Sequence, residues 1–275
     1  MVITRITVQE RNQNRYSVYI DKGSGEEFGF GVDKDVLIQF GLRKGLELNE
    51  ELIKEIAHED EVKKALNLCY SFLSYRMRSE FEVIAYLKKK AIPHPIIEQA
   101  LERLKKQGYV NDRAFAESYI RDKKHLSDKG PLLLKKELLE KGVSETVIDD
   151  ALACYPKDEQ LEKAKRIVSK KAKTVNDSYQ RFRQKLGQSL QQKGFTWDVI
   201  EEALHKLPEK NDEIEREILQ KYAQKAHVRY KKYEGFEYEQ KMKQYLFRKG
   251  FPIEEIERVL EDLRDEKESS DGKAF

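Results

Sequence analysis

The chain has 275 residues, of which 37% are charged and 39% hydrophobic, with 53 Lys and Arg against 50 Asp and Glu. A charged fraction well above the roughly 25% of an average globular protein is typical of slender helices with a narrow buried stripe. No apolar run approaches the about 18 residues of a membrane-spanning helix, and the first residues lack the apolar core of a signal peptide, so we expect a cytoplasmic protein.

The first 60 residues predict a small β-containing module followed by a connecting helix. Residues 3–9 partly alternate apolar and polar side chains, residues 16–20 are rich in strand formers, and residues 27–32 follow a glycine-rich turn. Asp33 or Asp35 then stands where it can cap a short helix that ends at Gly41, and Asn49 can cap the connecting helix. We expect a β-hairpin or a three-stranded sheet with one helix over residues 1–48.

The rest of the chain repeats one pattern four times. The pattern has a leucine, a lysine three residues later, then glycine or alanine and an apolar residue. Its leucines, at spacings of 51, 52 and 56 residues, are Leu87, Leu138, Leu190 and Leu246. Glycine after lysine is typical of a helix end. The residue types that begin a helix follow, and they are Pro93, Ser144, Thr196 and Pro252. Each copy therefore predicts the end of one helix, a tight turn and the start of another.

Additional helix signals give each repeat three helices. A helix is predicted over residues 61–78, Ser79 and Glu82 form a capping box for the next, and Pro131 begins the second helix of the second repeat. We predict a mainly α protein in which tandem three-helix repeats form an elongated curved array after the N-terminal module. The predicted boundaries are 1–60 for the module and its connecting helix, 61–108, 109–157, 158–210 and 211–265 for the four repeats, and 266–275 for a flexible acidic tail.

No residue pattern predicts catalysis, a cofactor or a metal. The five histidines are scattered singly, and the sequence has neither a phosphate-binding glycine loop nor a nucleophile elbow. Cys69 and Cys154 fit no metal or redox spacing, so we expect buried, reduced thiols. The sequence therefore predicts a protein without enzymatic activity.

Positive charge is concentrated in the first and second helices of the repeats. The net charge is −4 over residues 1–60 and −3 over residues 261–275, but +10 over residues 61–260. Residues 161–195 alone carry +8 and residues 219–249 carry +6. The aromatic residues near these cations are Tyr179, Phe182, Tyr230 and Tyr233. Clustered cations offer phosphate contacts and the neighbouring rings offer stacking platforms, which indicates a polyanion-binding surface; the alternative is a solvated helix face.

Several motifs resemble one known family. The first are Leu73-Ser-Tyr-Arg-Met-Arg-Ser-Glu-Phe-Glu82, Gly108-Tyr-Val-Asn-Asp-Arg-Ala-Phe-Ala116, Ser118-Tyr-Ile-Arg121, Lys129-Gly-Pro131 and Glu137-Leu-Leu-Glu-Lys-Gly142. These resemble the RecX family of recombinase regulators. Tyr16-Ser-Val-Tyr-Ile20 and Phe28-Gly-Phe-Gly-Val32 are similar to the longer members from low-GC Gram-positive bacteria. Asn111 and Leu132-Leu-Leu134 depart from the family pattern, which has an aspartate and more polar residues at these positions.

The resemblance implies tandem three-helix repeats and a non-enzymatic regulator of homologous recombination, DNA repair and the SOS response. Such a regulator binds RecA–DNA filaments and inhibits or disassembles them, which changes their recombinase, ATPase and coprotease activities. The expected partners are the RecA filament and single-stranded DNA, with double-stranded DNA as a further candidate. Two other functions fit the sequence: a general nucleic-acid-binding protein that competes for DNA, and a helical scaffold for other proteins.

The candidate contact residues for filament or DNA are all basic. They are Arg76, Arg78, Arg121, Lys123, Lys124, Lys129, Lys170, Lys171, Lys173, Arg181, Arg183 and Lys185. We assign Gly130, Pro131 and Gly142 to backbone geometry rather than to contacts with a partner. Because no sustained heptad seam is present, we expect a monomer.

Overall fold

The computed structural model describes residues 1–172, 176–207 and 209–271 and contains an N-terminal sheet followed by helices. The strands are β1 (Val2–Gln9), β2 (Asn12–Asp21) and β3 (Glu26–Asp33). They form one antiparallel sheet in the order β1-β2-β3. A short helix, α1 (Lys34–Gln39), follows. Of the two predicted alternatives, the three-stranded sheet with one helix is therefore confirmed.

One face of the sheet is covered by helices. Ile3 pairs with Ile20 across β1 and β2, and both side chains are buried with Val18 and Val32. Asp33 caps α1, because its carboxylate accepts a hydrogen bond from the Asp35 N–H at 3.0 Å. The alternating apolar residues of the three strands therefore form the core of a small module.

The connecting helix and the first helix of the first repeat are a single element, α2 (Glu50–Leu73). The prediction of a separate helix over residues 61–78 is wrong, because no residue between the two segments breaks the helix and α2 ends before Arg78. Asp60 stays inside the helix as a buried carboxylate that accepts hydrogen bonds from Arg15 and the Asp33 N–H at 2.9 and 2.8 Å. Hence α2 supplies Ile56 to the core of the N-terminal module and Val62 to that of the first repeat.

The remaining helices form tandem three-helix repeats, as predicted. After α2, the first repeat has α3 (Glu80–Lys89) and α4 (His94–Lys106). The second repeat has α5 (Asp112–Leu126), α6 (Pro131–Glu140) and α7 (Glu145–Leu152). The third has α8 (Lys157–Ala172), α9 (Tyr179–Gln192) and α10 (Trp197–Leu204). The fourth has α11 (Asp212–Tyr230), α12 (Gly235–Arg248) and α13 (Ile253–Asp271).

The repeated leucines are core residues. Leu87, Leu138, Leu190 and Leu246 are all buried, and the turn that follows each one contains a residue with positive φ. The predicted capping box is present in α3, where Ser79 accepts from the Glu82 N–H at 3.2 Å. The chain divides into two compact units, Met1–Tyr119 with Glu137–Ala151 and Ile120–Lys136 with Leu152–Phe275. The second repeat thus contributes to both units.

Each of three helix starts contacts the lysine-glycine turn of the next repeat. At the start of α3, Ser79 Oγ donates to the Lys141 carbonyl at 2.7 Å. At the start of α6, the Gly130 N–H donates to the Lys193 carbonyl at 2.7 Å. At the start of α9, Ser178 Oγ donates to the Lys249 carbonyl at 2.6 Å. The lysine-glycine turns therefore serve twice, as helix ends and as acceptors for the neighbouring repeat.

These contacts require the turn glycines to lack side chains. A Cβ on Gly142, at φ 77°, would lie 2.4 Å from the Phe81 Cβ, and one on Gly194, at φ 82°, would lie 2.3 Å from the Leu133 nitrogen. No three-helix repeat precedes the first, so its turn need not admit a neighbouring helix start. In the turn of the first repeat, the position of the glycine is taken by Ala91, which also has a positive φ, 58°.

Candidate nucleic-acid interface

Arg76 and Arg78 lie in the loop between α2 and α3. The Arg76 guanidinium contacts Glu82 at 2.9 Å, and Glu82 also accepts from the Lys141 ammonium at 3.2 Å. Arg78 lies over the Phe72 ring, 4.2 Å from its centroid, and burial lowers the pKa of its guanidinium. Both arginines are therefore held by intramolecular contacts, while the neighbouring Tyr75 is largely exposed.

The end of α5 and the turn after it carry the second group of predicted cations. Arg121 is exposed, and Lys123 and Lys129 are half-buried. The Lys124 side chain is only 12% exposed, because its ammonium contacts Glu159 at 2.7 Å and donates to the Cys154 carbonyl at 2.9 Å. Lys124 therefore joins two helices, α5 and α8, instead of presenting a free charge.

A buried lysine beside this group was not predicted. The Lys163 ammonium of α8 donates to the Ser127 and Lys124 carbonyls at the end of α5 and lies 5.4 Å from the Tyr155 ring centroid. Burial, with the nearby Arg166 charge, lowers the pKa of Lys163 below its ordinary value. Sequence alone shows only another lysine in a basic helix, so nothing in the pattern distinguishes this structural cation from its exposed neighbours.

The third group of predicted cations begins in the last turn of α8. Lys170 is exposed, and Lys171 donates to Ser189 Oγ of α9 at 2.8 Å. Lys173 lies outside the described residues. Among these lysines, Lys170 is the one that projects from the helix surface with no carboxylate partner in the described part of the chain.

The cations of α9 surround two carboxylates. Lys185 forms an ion pair with Asp177, and the Arg181 Nε lies 4.0 Å from the same carboxylate. Burial would raise the pKa of Asp177, but Lys185, Tyr222 and Arg181 hold it below its ordinary value. Arg183 lies on another face of α9, 3.6 Å from Glu201 of α10. The structure thus brings Arg181 and Lys185 together and separates Arg183 from them.

Most of the aromatic rings near these cations have intramolecular partners. Phe182 packs against the core of the third repeat, because it lies one helical turn from the buried Leu186. The Tyr233 ring is contacted by the Lys241 ammonium at 4.3 Å, and Tyr230 packs against Tyr245 with their centroids 6.1 Å apart. Phe182 is therefore partly buried in the core of its repeat, and Lys241 covers one face of the Tyr233 ring.

An open groove lies beside α9, where it meets the end of α12. The groove measures about 510 Å³ and is lined by Arg181 and Lys185 from α9 and by Phe247 and Arg248 from α12. Neither Phe247 nor Arg248 was among the predicted site residues. The net charge of +6 over residues 219–249 was the available signal, but it does not indicate which helix face meets α9.

The described residues contain no group of three or more His, Cys, Asp or Glu side chains that is suited to hold a metal ion. Within the same residues, no helix is long and apolar enough to cross a membrane. Cys69 is buried, and this burial raises the pKa of its thiol to about 12.

Known protein families match the chain from its N-terminal module to its fourth repeat. The "Regulatory protein RecX N-terminal domain" matches residues 1–49, and the "RecX, first three-helix domain" matches residues 65–104. The "RecX, second three-helix domain" matches residues 111–152. The "RecX, third three-helix domain" matches twice, over residues 158–204 and 213–260. The fourth repeat is thus similar to the third at the level of the family pattern.

Full-length relatives and solved structures agree with these matches. The chain is 48% identical over 264 residues to a "Regulatory protein RecX" from Halalkalibacterium halodurans, covering 95% of this chain and 99% of the relative. It is 45% identical over 265 residues to one from Geobacillus sp. (strain WCH70), covering 96% and 98%. A crystal structure of regulatory protein RecX matches with a TM-score of 0.65 and 36% identity, over 73% of this chain and 97% of that one. RecX from Lactobacillus salivarius matches with a TM-score of 0.52 and 33% identity, over 54% and 97%. The chain belongs to the RecX family of regulatory proteins.

Proposed function

We propose that this protein binds RecA–DNA filaments in the cytoplasm and inhibits or disassembles them without catalysing a reaction itself. The supporting observation is the similarity to proteins named "Regulatory protein RecX" over nearly the whole chain, including all four repeats. The motifs of the first two repeats carry the same resemblance to recombinase regulators. The proposed acting species is a monomer.

Repeated units suit a partner that is itself repetitive. A filament presents the same surface many times, and tandem repeats can engage several subunits at once. Linked weak contacts then increase the overall affinity without any single strong site. Arg121 and Lys170 are the strongest candidates for direct contact, because both are exposed and neither pairs with a carboxylate among the described residues.

The test adds the protein to preformed RecA filaments on single-stranded DNA and follows ATP hydrolysis. A parallel titration measures the affinity of the protein for the bare DNA at the same salt concentration. Inhibition at concentrations far below those that saturate bare DNA is the expected result. Unchanged ATP hydrolysis, LexA cleavage and strand exchange at saturating protein would contradict the proposal.

A general nucleic-acid-binding protein that competes for DNA is the second candidate function. The observation that favours it is the local concentration of positive charge, +8 over residues 161–195. Such a protein inhibits filaments only at concentrations at which bare DNA is also saturated. The two titrations therefore separate filament-specific binding from competition. If the protein has no affinity for bare DNA even at low salt, this second candidate function is excluded.

A further inference from the structure

We propose that the groove between α9 and the end of α12, here called the α9–α12 groove, binds a short stretch of single-stranded DNA by base stacking and phosphate contacts. This inference deepens the proposed function, since it gives one location and one chemistry for contact with DNA. The groove is lined by α9 on one side and by the last turn of α12 with the lysine-glycine turn after it on the other.

The shape of the groove follows from the contact between the third and fourth repeats. Ser178, at the start of α9, donates to the Lys249 carbonyl, and Arg181 Nη1 donates to the Arg248 carbonyl at 2.9 Å. Gly250 permits this approach, because a Cβ there would lie 2.6 Å from Ser178 Oγ. Two hydrogen bonds from side chains of α9 to carbonyls at the end of α12 thus join the walls of the groove, which is therefore present before any ligand binds.

The charge of the groove suits a polyanion. Arg181, Lys185 and Arg248 line it, and no acidic residue is among its lining residues. Asp177 lies next to the groove and pairs with Lys185, so one of the three positive charges is offset. Arg248 is exposed and pairs with no carboxylate in the described part of the chain. Its Nε donates to the Gln244 carbonyl at 3.3 Å, and its two Nη groups are available for a phosphate.

Two further features favour a nucleic acid over an acidic peptide. Phe247, at 64% exposure, presents an aromatic ring in the groove with little cover from the protein. Gln180, Gln184 and Gln188 recur every four residues and line one wall of the groove. An aromatic ring can stack on any base, and amide groups can both donate to and accept from base edges. An acidic peptide such as poly-glutamate would use the cations and could bond to the amides, but it offers no ring to stack on Phe247.

The length of the glutamine wall sets the size of the ligand. Residues 180–188 span about 12 Å at 1.5 Å per helical residue. That length matches about three to four nucleotides when their bases are stacked at about 3.4 Å, the rise along one strand of a duplex. A single-stranded oligonucleotide is therefore the probe, and binding is measured in the absence of RecA.

The first experiment measures the affinity of the full chain for fluorescein-labelled oligothymidylate over a range of salt concentrations. Phe247→Ala is expected to weaken binding about tenfold with the salt dependence unchanged, since it removes stacking and no charge. Arg248→Gln is expected to reduce the slope of log K against log salt by about 0.7, the value for one phosphate contact with a single strand. Phe236→Ala is the matched control, because Phe236 is an exposed phenylalanine at the other end of α12. It is expected to leave the affinity unchanged.

A second experiment reports stacking directly. Trp197→Phe removes the one native tryptophan, and Phe247→Trp places an indole in the groove. The fluorescence of this indole is expected to be quenched by oligothymidylate but not by poly-glutamate. Phe247→Ala with wild-type affinity, or an equal loss in Phe236→Ala, would overturn the inference. Equal binding of poly-glutamate and oligothymidylate would overturn it in favour of an acidic-peptide surface. Circular dichroism confirms that each variant remains helical. Failure here, with filament inhibition retained, would leave the proposed function standing.

Discussion

The carboxylate of Glu215 in α11 accepts the backbone N–H of Tyr179, the first residue of α9, through both oxygens at 2.9 and 3.1 Å. The same arrangement occurs two repeats earlier, where Asp112 of α5 accepts the Glu80 N–H at the start of α3, at 2.8 Å. A carboxylate at this place satisfies a free N–H and lies at the positive end of the helix. The equivalent first residue of α6 is Pro131, which has no N–H to satisfy.

Glu215 predicts a pH effect on stability. Burial raises the pKa of Glu215 above its ordinary value of 4.5, although the Tyr179 N–H opposes the shift. The stabilising contribution of protonated Glu215 is therefore fully present below the ordinary value and is lost as pH rises through the folded-state pKa. Glu215→Gln keeps an oxygen for the Tyr179 N–H and removes this loss. We expect the Tm of the variant minus that of the wild type to increase from about pH 4 to about pH 7, because only the wild type loses this contribution.

The control for this measurement is Glu217→Gln, which changes an exposed carboxylate on the same helix. It is expected to follow the wild-type curve of Tm against pH. If the curve of Tm against pH for Glu215→Gln is also parallel to that of the wild type, burial of this carboxylate does not affect stability.

Alanine substitution at two turn glycines is expected to separate the cost of backbone strain from that of a steric clash. Gly108→Ala places a side chain at φ 77° with no atom within 4 Å, so only the left-handed conformation is penalised, by about 1 kcal/mol. Gly142→Ala has the same φ but would clash with Phe81, and we expect a further loss of about 1–3 kcal/mol. Urea unfolding of both variants measures the difference. Equal free energies of unfolding would show that α3 can move away from the turn at little cost.

Short local signals for helix starts and helix ends made most of the fold predictable. Turn glycines, the Ser79 capping box and Pro131 act over a few residues, so the sequence alone indicates them. The continuity of α2 was missed, because that helix continues through a buried Asp60 whose partners, Arg15 and the Asp33 N–H, come from the N-terminal sheet.

The candidate site was less predictable, since it depends on contacts between distant residues. A basic residue alone does not reveal its acidic partner, and Lys124 pairs with Glu159, 35 residues away. Likewise, Arg181 meets the Arg248 carbonyl across 67 residues. Only the fold determines which lysines and arginines are engaged and which remain free.

Replacing the serines that begin α3 and α9 is expected to reduce stability, whereas replacing a similar serine outside the contacts between repeats is not. Ser79 and Ser178 are fully buried, and each donates to a turn carbonyl while accepting an N–H of its own helix. Alanine at either position leaves a partly buried carbonyl without its donor and removes the helix cap, so we expect a loss of about 1–3 kcal/mol. Ser144→Ala is the control, because Ser144 is exposed and, among the described residues, Thr146 is the hydrogen-bond partner of its hydroxyl. Urea unfolding compares the three variants, and equal losses would assign the effect to helix propensity.

Arg121 and Lys170 predict a functional loss without a loss of stability. Both side chains are exposed and have no carboxylate partner among the described residues, so Arg121→Glu/Lys170→Glu breaks no ion pair there. We expect about three- to thirtyfold more of this variant to be needed for half-inhibition of RecA filament ATP hydrolysis, since each reversal replaces an attraction with a repulsion. The charge-matched control is Arg43→Glu/Lys54→Glu, which reverses two exposed cations in the acidic N-terminal segment. An equal effect of both variants would indicate that net charge alone controls inhibition. Wild-type inhibition by Arg121→Glu/Lys170→Glu, with unchanged helicity and Tm, would exclude both cations from the filament contact.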